Sequence, residues 1–275
     1  MTEQGQLTDR FTKTVDQLDR TGADHLQARL GAIYALERLA RDSPRDQPTI
    51  IEILSAFVRT TTPRPTPAAT GTTKSAMTCP SQPVSPDVHA ALTVLGRRNT
   101  THDQHSRVDL TETCLTGANL SVANFSGADL AGTNFSGADL AGTNFSGADL
   151  AEANFSGANL NCVNLNCVNL SGADLTSADL TDGDLTAADL RGARFHYADL
   201  RRATLSSVNL RNALLGGVNL AGADLSTALL AGADLWNADL NGANLCGAEL
   251  LNVRHNEKTN IADVKTDART SGKWW

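Results

Sequence analysis

Leucine or phenylalanine occupies every fifth position from Leu110 to Leu250, which makes 29 consecutive five-residue units. A period of five matches neither the 3.6-residue turn of an α-helix nor the alternation of a β-strand. An unbroken repeat of this kind is typical of a solenoid, in which each unit stacks on its neighbours. The pattern therefore predicts a coiled repeat domain rather than ordinary amphipathic elements.

The slots of the unit differ in polarity. The position two before the centre holds Ala in 20 of the 29 units, and the position directly before the centre holds 12 Asp and 11 Asn. Buried leucine contributes roughly 1.5–3 kcal/mol per side chain, and alanine fits where backbones pass closely. Asp and Asn hydrogen-bond to nearby backbone at tight turns, which explains their recurrence without any ligand.

The unit resembles the Ala-Asp/Asn-Leu-x-x motif of the pentapeptide-repeat family, as in residues 128–132, and the resemblance covers residues 108–253. It implies a mainly β fold, a right-handed quadrilateral β-helix in which four units form one coil and residues 20 apart stack. At about 4.8 Å per coil, about seven coils give a rod roughly 34 Å long. We expect this β-helix over residues 106–255, with a carboxy-terminal tail over residues 256–275.

Residues 1–100 have a helical period instead, with apolar side chains such as Leu26, Leu30 and Ile33 on one face. We expect a helical module with a Thr/Pro-rich linker at about 60–86. A helix at about 86–98 should cap the first coil, because an open β-edge promotes aggregation. Residues 31–59 also resemble the helical segment that precedes the repeats in actinobacterial members of the family.

Cysteine content and hydropathy predict the compartment. The cysteines are odd in number and have no framework spacing, so we expect free thiols in a reducing compartment. No apolar run is long enough to span a membrane, and the first residues lack the apolar core of a signal peptide. The prediction is a soluble, cytoplasmic protein with no membrane partner. The five cysteines are Cys79, Cys114, Cys162, Cys167 and Cys246.

Motifs for catalysis or metal binding are weak. Cys162 and Cys167 occupy equivalent slots of successive units, and His102 and His105 lie near Cys114. A zinc site requires four convergent ligands, so a solvated or structural role is the favoured interpretation and a metal site the alternative. The sequence contains no phosphate loop or nucleophile elbow, and a core filled by Leu and Ala leaves no pocket. We predict no enzyme activity, no metal and no cofactor.

Acidic charge is concentrated in the repeats. Residues 106–250 carry 16 acidic and 6 basic side chains, a net charge of −10. This charge disfavours direct nucleic-acid binding and favours a protein partner with a basic surface. With residues 20 apart stacked, the acidic partner-binding surface is predicted on two opposite faces, although turn chemistry alone is the alternative explanation. The two faces carry Asp109, Asp129 and Asp149, and Asp139, Asp179, Asp199 and Asp239.

Family resemblance gives this surface a candidate partner. Soluble members that confer quinolone or albicidin resistance are dimeric rods that imitate duplex DNA and bind DNA gyrase. The resemblance therefore implies a non-catalytic protein-binding module, with gyrase as partner and antibiotic resistance as context. Duplex DNA carries about 20 charges over 34 Å, so a net charge of −10 is at most half as dense. The helical module favours the alternative, a structural or signalling scaffold that recruits partners through its helices.

The carboxy-terminal third has a different surface. Exposed aromatic and leucine side chains in one region are typical of a contact, which predicts a homodimer. The predicted dimer contact comprises Leu214, Leu229, Trp236, Trp274 and Trp275. Between these residues lies a basic patch, interpreted as balancing nearby aspartates, with an anion site as the alternative. The patch consists of Arg191, Arg194, Arg201, Arg202 and Arg211.

Overall fold

The computed structural model describes residues 3–65, 79–80 and 82–275, with the backbone alone for residues 3–10. Four α-helices precede the repeats, namely α1 (Glu3–Leu18), α2 (Leu26–Asp42), α3 (Gln47–Thr61) and α4 (Pro86–Gly96). Short 3-10 turns lie at Ala23–His25 and Thr100–His102. The predicted linker at about 60–86 falls mostly on residues 66–78 and 81, which lie outside the described residues.

The helices pack their apolar faces together. Helix α2 contacts α1, α3 and α4, and α3 also contacts α4. Ile33 and Leu36 of α2, Leu54 of α3 and Leu92 of α4 are fully buried. In α2, α3 and α4 the buried apolar residues recur three or four positions apart, as Ile50 and Leu54 do in α3, so one stripe of each of these helices faces the shared core.

A buried ion pair between Arg29 and Asp87 connects α2 to the start of α4. The Asp87 carboxylate accepts hydrogen bonds from Arg29 Nε at 2.5 Å and from Ser85 Oγ at 2.5 Å. Burial raises the pKa of Asp87, but the bonds from Ser85 and Arg29 together leave it below its ordinary value. Arg29 Nη1 also donates to the carbonyls of Arg20 and Gly22. The charged pair is therefore hydrogen-bonded on both sides, as a buried charge requires.

From Asp109 onward the backbone forms parallel bridges between residues 20 apart. The bridges fall into four ladders, which begin at Asp109, Cys114, Asn119 and Asn124 and are called ladders 1 to 4 in that order. In ladder 1, Leu110 N–H donates to Asp129 O at 2.9 Å, and Asp129 N–H donates to Val108 O at 2.9 Å. Across the described part of the chain, pairing is confined to single-residue bridges, without longer strands. The 20-residue stacking period matches the one that the family resemblance implies.

The central Leu and Phe side chains form a continuous core. All 29 of them are buried, with at most 4% of any residue exposed. Phe125 stacks on Phe145 with ring centroids 6.1 Å apart, and Phe135 stacks on Phe155 at 5.2 Å. The core is thus filled by side chains that repeat every five residues, as the hydrophobic pattern predicts.

The last slot of the unit has left-handed backbone, which the sequence pattern does not reveal by itself. Gly132 has a φ of 66°, and non-glycine residues such as Cys162 (φ 54°) adopt the same conformation. Glycine enters this region without steric cost, which explains why it is the commonest residue there.

The helical module pairs with the edge of the first coil. Cys114 N–H donates to Thr62 O at 2.7 Å, and Asn124 N–H donates to Gly96 O at 2.7 Å at the end of α4. A Cβ on Gly96 would lie 2.7 Å from the Ala123 Cβ, so glycine permits this approach. These contacts satisfy edge N–H groups that would otherwise invite pairing with another chain.

A third contact involves α3. Asp109 N–H lies 3.4 Å from Ser55 Oγ, and the Arg59 guanidinium forms an ion pair with the Asp109 carboxylate. Ladders 1, 2 and 4 therefore each meet the helical module at their first residue. Ladder 3 begins at Asn119, and this residue is exposed.

The ladders continue past residue 255, where the sequence predicts the end of the β-helix. Asp239 pairs with Asn260, and Glu249 pairs with Ser271. These spacings are 21 and 22 residues rather than 20, so added residues break the five-residue pattern without ending the pairing. Residues 260–271 thus pair with the preceding coil instead of forming a separate tail.

Cys79 and Cys114 form a disulfide with Cα atoms 5.5 Å apart. The expectation of five free thiols is wrong for this pair, because their sequence spacing does not reveal that the chain returns to the first coil before α4. Cys162, Cys167 and Cys246 are free thiols. The cysteine argument for a reducing compartment is lost with this bond, since stable disulfides are typical of oxidising environments.

Removal of the disulfide should destabilise the cap. The bond joins residues 35 positions apart, and a loop of this length corresponds to about 3–4 kcal/mol in the chain-entropy account. We expect the Cys79→Ser/Cys114→Ser variant to lose about this much unfolding free energy in denaturant titrations followed by circular dichroism. Reductant should bring the wild-type chain to the same value and leave the variant unchanged. An equal reductant effect in both proteins would contradict the assignment.

The core assignment is tested at Leu170 and Leu185, which are fully buried. Aspartate at either position buries an unpaired carboxylate between coils and should cost several kcal/mol. Because stability in a solenoid is a sum over neighbouring units, the melting of the repeats should split into parts while the helices stay folded. The control is Ser171→Asp, one residue outward. A single unchanged calorimetric transition for Leu170→Asp would refute the assignment of Leu170 to the core.

Candidate partner-binding surface

Ladders 1 and 3 contain all seven acidic residues of the predicted partner-binding surface. Bridges join Asp109, Asp129 and Asp149 consecutively in ladder 1. Ladder 3 alternates more, because asparagines separate several of its aspartates. Its predicted site residues are Asp139, Asp179, Asp199 and Asp239.

Each of these slots has a turn function that does not depend on charge. Asp129 Oδ1 accepts the N–H of Ala131 at 3.3 Å, and Asn134 Oδ1 accepts the N–H of Ser136 at 2.9 Å. The amide and the carboxylate thus perform the same local bond two residues on, as in an Asx turn. Either residue supplies the accepting oxygen, so the choice of Asp over Asn is free to serve another purpose.

Asparagine amides also separate carboxylates along the ladders. Asn159 Nδ2 donates to Asp139 Oδ1 at 3.0 Å, and Asn169 Nδ2 donates to Asp149 Oδ1 at 2.9 Å. Both bonds join neighbouring coils. An aspartate at position 159 or 169 would instead oppose a second carboxylate at about 5 Å, a repulsion of roughly 0.8 kcal/mol in water.

The arginines of the predicted basic patch are all paired with carboxylates. Some pair with an aspartate two residues before, as Arg191 does with Asp189 at 2.7 Å. Others pair one coil back, as Arg202 does with Asp182 at 2.7 Å. The remaining pairs are Arg194 with Asp174, Arg201 with Asp199, and Arg211 with Glu249. This arrangement supports charge balance over an anion site.

The pairing shifts the acid–base equilibria of these aspartates. Hydrogen bonds from Arg191 lower the pKa of Asp189, and hydrogen bonds from Arg202 lower the pKa of Asp182. Burial raises the pKa of Asp199, but the bond from Arg201 and its charge leave the pKa below its ordinary value. These carboxylates are therefore ionised and already paired at neutral pH.

The remaining carboxylates have no cation of their own. Of the predicted site residues, Asp109 pairs with Arg59 and Asp199 pairs with Arg201, which leaves five. Within the described part of residues 106–250, eight acidic residues have no Arg or Lys within salt-bridge distance. They are Asp129, Asp139, Asp149, Glu152, Asp179, Asp184, Asp224 and Asp239. Six of the eight lie between residues 129 and 184, and this group is called the acidic segment.

The predicted dimer residues do not form one patch. Leu214 belongs to ladder 2 and Leu229 to ladder 1. Trp236 follows the ladder 2 residue Asp234 and is 48% exposed. Trp274 and Trp275 lie after the last bridge, where Trp274 stacks on His255 at 4.5 Å and Trp275 meets Trp274 edge-on at 4.6 Å. These residues span two ladders and one end of the rod.

The weaker metal candidates are also placed. Cys162 and Cys167 are exposed. Asp103, between the two candidate histidines, accepts bonds from Arg98 and from Gln47 Nε2, so it links α3 to the residues after α4. Across residues 3–65, 79–80 and 82–275, no group of three or more His, Cys, Asp or Glu side chains is arranged to hold a metal ion.

Sequence reasoning missed two features of this surface. Arginines that follow an aspartate by 2 or 20 residues neutralise it, a signal that is readable once the 20-residue period is known. Asparagines placed 20 residues after an aspartate donate to it. The arginine pairs reduce the number of uncompensated carboxylates, and the asparagines separate carboxylates that remain along the ladders.

Comparison with known families identifies the repeats. The pentapeptide repeats family matches in eight copies over residues 106–140, 138–176, 169–206, 208–247 and 224–254, which together make up more than half of the chain. The chain belongs to the pentapeptide-repeat family. Pentapeptide-repeat proteins fold as right-handed β-helices and are generally non-catalytic structural modules.

Several solved pentapeptide-repeat structures are similar. HetL, involved in heterocyst differentiation regulation in the cyanobacterium Nostoc sp. strain PCC 7120, is 33% identical over 60% of this chain and 84% of its own, with a TM-score of 0.41. Rfr23 from the cyanobacterium Cyanothece 51142 is 38% identical over 36% of this chain and 64% of its own, with a TM-score of 0.30. QnrB1, a plasmid-mediated fluoroquinolone resistance protein, is 23% identical over 56% and 91%, with a TM-score of 0.37.

No curated protein matches the pentapeptide-repeat chain. None of the helices in its described residues has the length and apolar character needed to cross a membrane.

The asparagine spacers of this pentapeptide-repeat rod are testable at Asn159. Asn159→Asp removes the bond to Asp139 and leaves four consecutive carboxylates in ladder 3, from Asp139 to Asp199. We expect a loss of about 1–2 kcal/mol in unfolding free energy at pH 7, from repulsion by both neighbours. Like charges raise the pKa of the new carboxyl in the folded state, so the penalty should shrink as pH falls below about 4.

The control for this variant is Ser177→Asp, which adds the same charge at an exposed corner. Urea titrations of wild type and both variants, at pH 7 and pH 3, give the change in unfolding free energy that each substitution causes. If Ser177→Asp costs as much as Asn159→Asp, the ladder contact is not the cause.

Proposed function

We propose that the repeats form a quadrilateral rod of about seven coils that acts as a non-catalytic protein-binding module. Its partner carries a basic surface, and the candidate partner is cytoplasmic DNA gyrase, which the rod modulates or protects by imitating DNA. This role links the protein to antibiotic resistance. The observation that supports the proposal best is the acidic segment between Asp129 and Asp184, whose carboxylates have no arginine partners.

Charge density supports this choice of segment. A coil of 20 residues rises about 4.8 Å, so the 55 residues from Asp129 to Asp184 span about 13 Å. Six uncompensated carboxylates over that length correspond to about one charge per 2 Å, whereas duplex DNA carries one per about 1.7 Å. The rod as a whole reaches at most half the density of DNA. A basic partner surface therefore fits the acidic segment better than the remainder of the rod.

The proposal predicts which aspartates matter to gyrase. Replacing Asp129, Asp139, Asp149 and Asp179 by Asn keeps the turn bonds and removes four uncompensated charges. We expect gyrase binding to weaken by roughly tenfold or more, with a parallel loss of any effect on supercoiling or quinolone inhibition. The wild-type effect should also weaken as salt rises from about 50 to about 200 mM. Direct binding measurements test the loss of affinity for gyrase, and supercoiling assays test the loss of effect.

The matched control removes four carboxylates that are already paired with arginine. The variant with Asp182, Asp189 and Asp199 replaced by Asn and Glu249 replaced by Gln changes the net charge by the same amount and should retain more activity. Equal loss in both variants would mean that total charge matters and the acidic segment does not. If wild-type protein at micromolar concentration leaves the gyrase of its own host unaffected, with and without drug, the gyrase proposal is abandoned.

The alternative function is a structural or signalling scaffold, and one feature of the helical module favours it. An open groove of about 640 Å³ lies between the α1–α2 turn, α3 and the start of α4. Leu26, Phe57 and Pro86 line it, beside the Arg29–Asp87 pair. Ligand sites commonly have this size and apolar character. A partner whose binding ignores the aspartate variants and is lost on substitution in this groove would favour the scaffold.

The homodimer is part of the same proposal. Exposed Trp236 and Trp275 support it, since aromatic side chains are enriched in interfaces.

A further inference from the structure

Ladder 2 has a different electrostatic character from ladders 1 and 3. Successive coils place Asp174, Arg194, Leu214, Asp234 and Arg254 in its bridging slot. Arg194 lies 3.8 Å from Asp174, and Arg254 lies 3.6 Å from Asp234. This stretch of the ladder is therefore neutral overall. It is called the ladder 2 surface, together with the residues that follow each bridging slot.

Aromatic side chains cover the ladder 2 surface. Tyr197 is 76% exposed and Trp236 is 48% exposed. A Cβ on Gly216 would lie 2.9 Å from His196 Nδ1, and a Cβ on Gly217 would lie 2.8 Å from Tyr197 Cδ1. The rings of His196 and Tyr197 thus pack against the glycine backbone of the next coil. A flat surface that presents Tyr, Trp, Arg and Leu has the composition of a protein interface.

The order of charges along this ladder identifies the partner. One coil before Leu214 lies Arg194, and one coil after it lies Asp234. Two coils before lies Asp174, and two coils after lies Arg254. Each charge before Leu214 is therefore opposite in sign to the charge at the same distance after it. A two-fold axis at Leu214 brings each charge against its opposite in a second copy, because an isologous contact matches each position with its counterpart.

Other partners fit this surface less well. A parallel second copy would place like charges together, and a uniformly basic or acidic protein would be repelled by half of the charges.

We propose that the ladder 2 surface from Asp174 to Arg254 is a homodimer interface in which two copies pack side by side and antiparallel. The inference rests on the homodimer part of the proposed function and is independent of gyrase. It moves the contact from Leu229, Trp274 and Trp275 to the side of the rod.

The size of the contact sets its strength. Five coils span about 19 Å along the rod, so the patch is smaller than the roughly 800 Å² per partner of a standard interface. The dimer is therefore weak and depends on protein concentration. Its charge pairs lie near solvent, so salt weakens it further.

Two leucine substitutions test the location. Leu214→Asp and Leu229→Asp both introduce the residue that the repeat most often carries in this slot, so both variants should fold. Sedimentation velocity from about 1 to about 200 µM should show wild type and Leu229→Asp approaching dimer mass. Leu214→Asp should stay monomeric over that range, because two carboxylates meet at the axis. Circular dichroism melting verifies the fold of each variant.

A charge exchange separates an interface from a structural role. Arg194→Asp alone and Asp234→Arg alone should each weaken the dimer at least tenfold, and the double variant should regain it. Within one chain the double variant places like charges at 174 and 194 and at 234 and 254. A purely structural role therefore makes the double variant worse than either single one, which would overturn the proposal.

The remaining outcomes are also decisive. A wild-type chain that is monomeric at every concentration overturns both the homodimer and this interface. A dimer that survives Leu214→Asp and dissociates with Leu229→Asp overturns the ladder 2 surface alone. Failure of the gyrase assay bears on neither result.

Discussion

Backbone pairing between residues 20 apart is the interaction on which the rest of the repeat domain depends. Because every coil bonds to the next at four bridging slots, the two inward slots must be small or apolar, and the last slot must turn with left-handed backbone. The bridging slot most often holds Asp or Asn, whose side-chain oxygen accepts a nearby N–H. Only the charge of that slot and the identity of its outward neighbours remain free. These free positions therefore determine what such a rod can bind.

The same pairing creates an edge that the chain must cover. Thr62 and Gly96 accept bonds from the first coil, Ser55 lies beside a third edge N–H, and the Cys79–Cys114 disulfide fastens the returning chain there. The helices are thus part of the solenoid's own stability as well as a module with a groove of its own. A destabilising change in the cap should therefore lower the stability of the first coils, since each coil is stabilised only by its neighbours.

The five-residue pattern predicts the core from Leu110 to Leu250 and the stacking of Phe125 on Phe145, because both follow from periodicity alone. It fails where an added residue breaks the period, so the pairing of Asn260 and Ser271 is not foreseen. The Cys79–Cys114 bond escapes prediction because loop geometry decides it. The ion pairs of the arginines depend on side-chain reach across coils, so net charge alone overstates the acidic surface.

The two surfaces occupy different sides and different lengths of the rod, so binding at one need not block the other. The acidic segment centres about three coils before Leu214. In the antiparallel pair proposed above, the two acidic segments lie at opposite ends, with centres about 28 Å apart along the rod. Neither segment lies at the dyad, where their mutual repulsion would be greatest. Such a pair presents two equivalent acidic segments, which suits a partner that itself has two-fold symmetry.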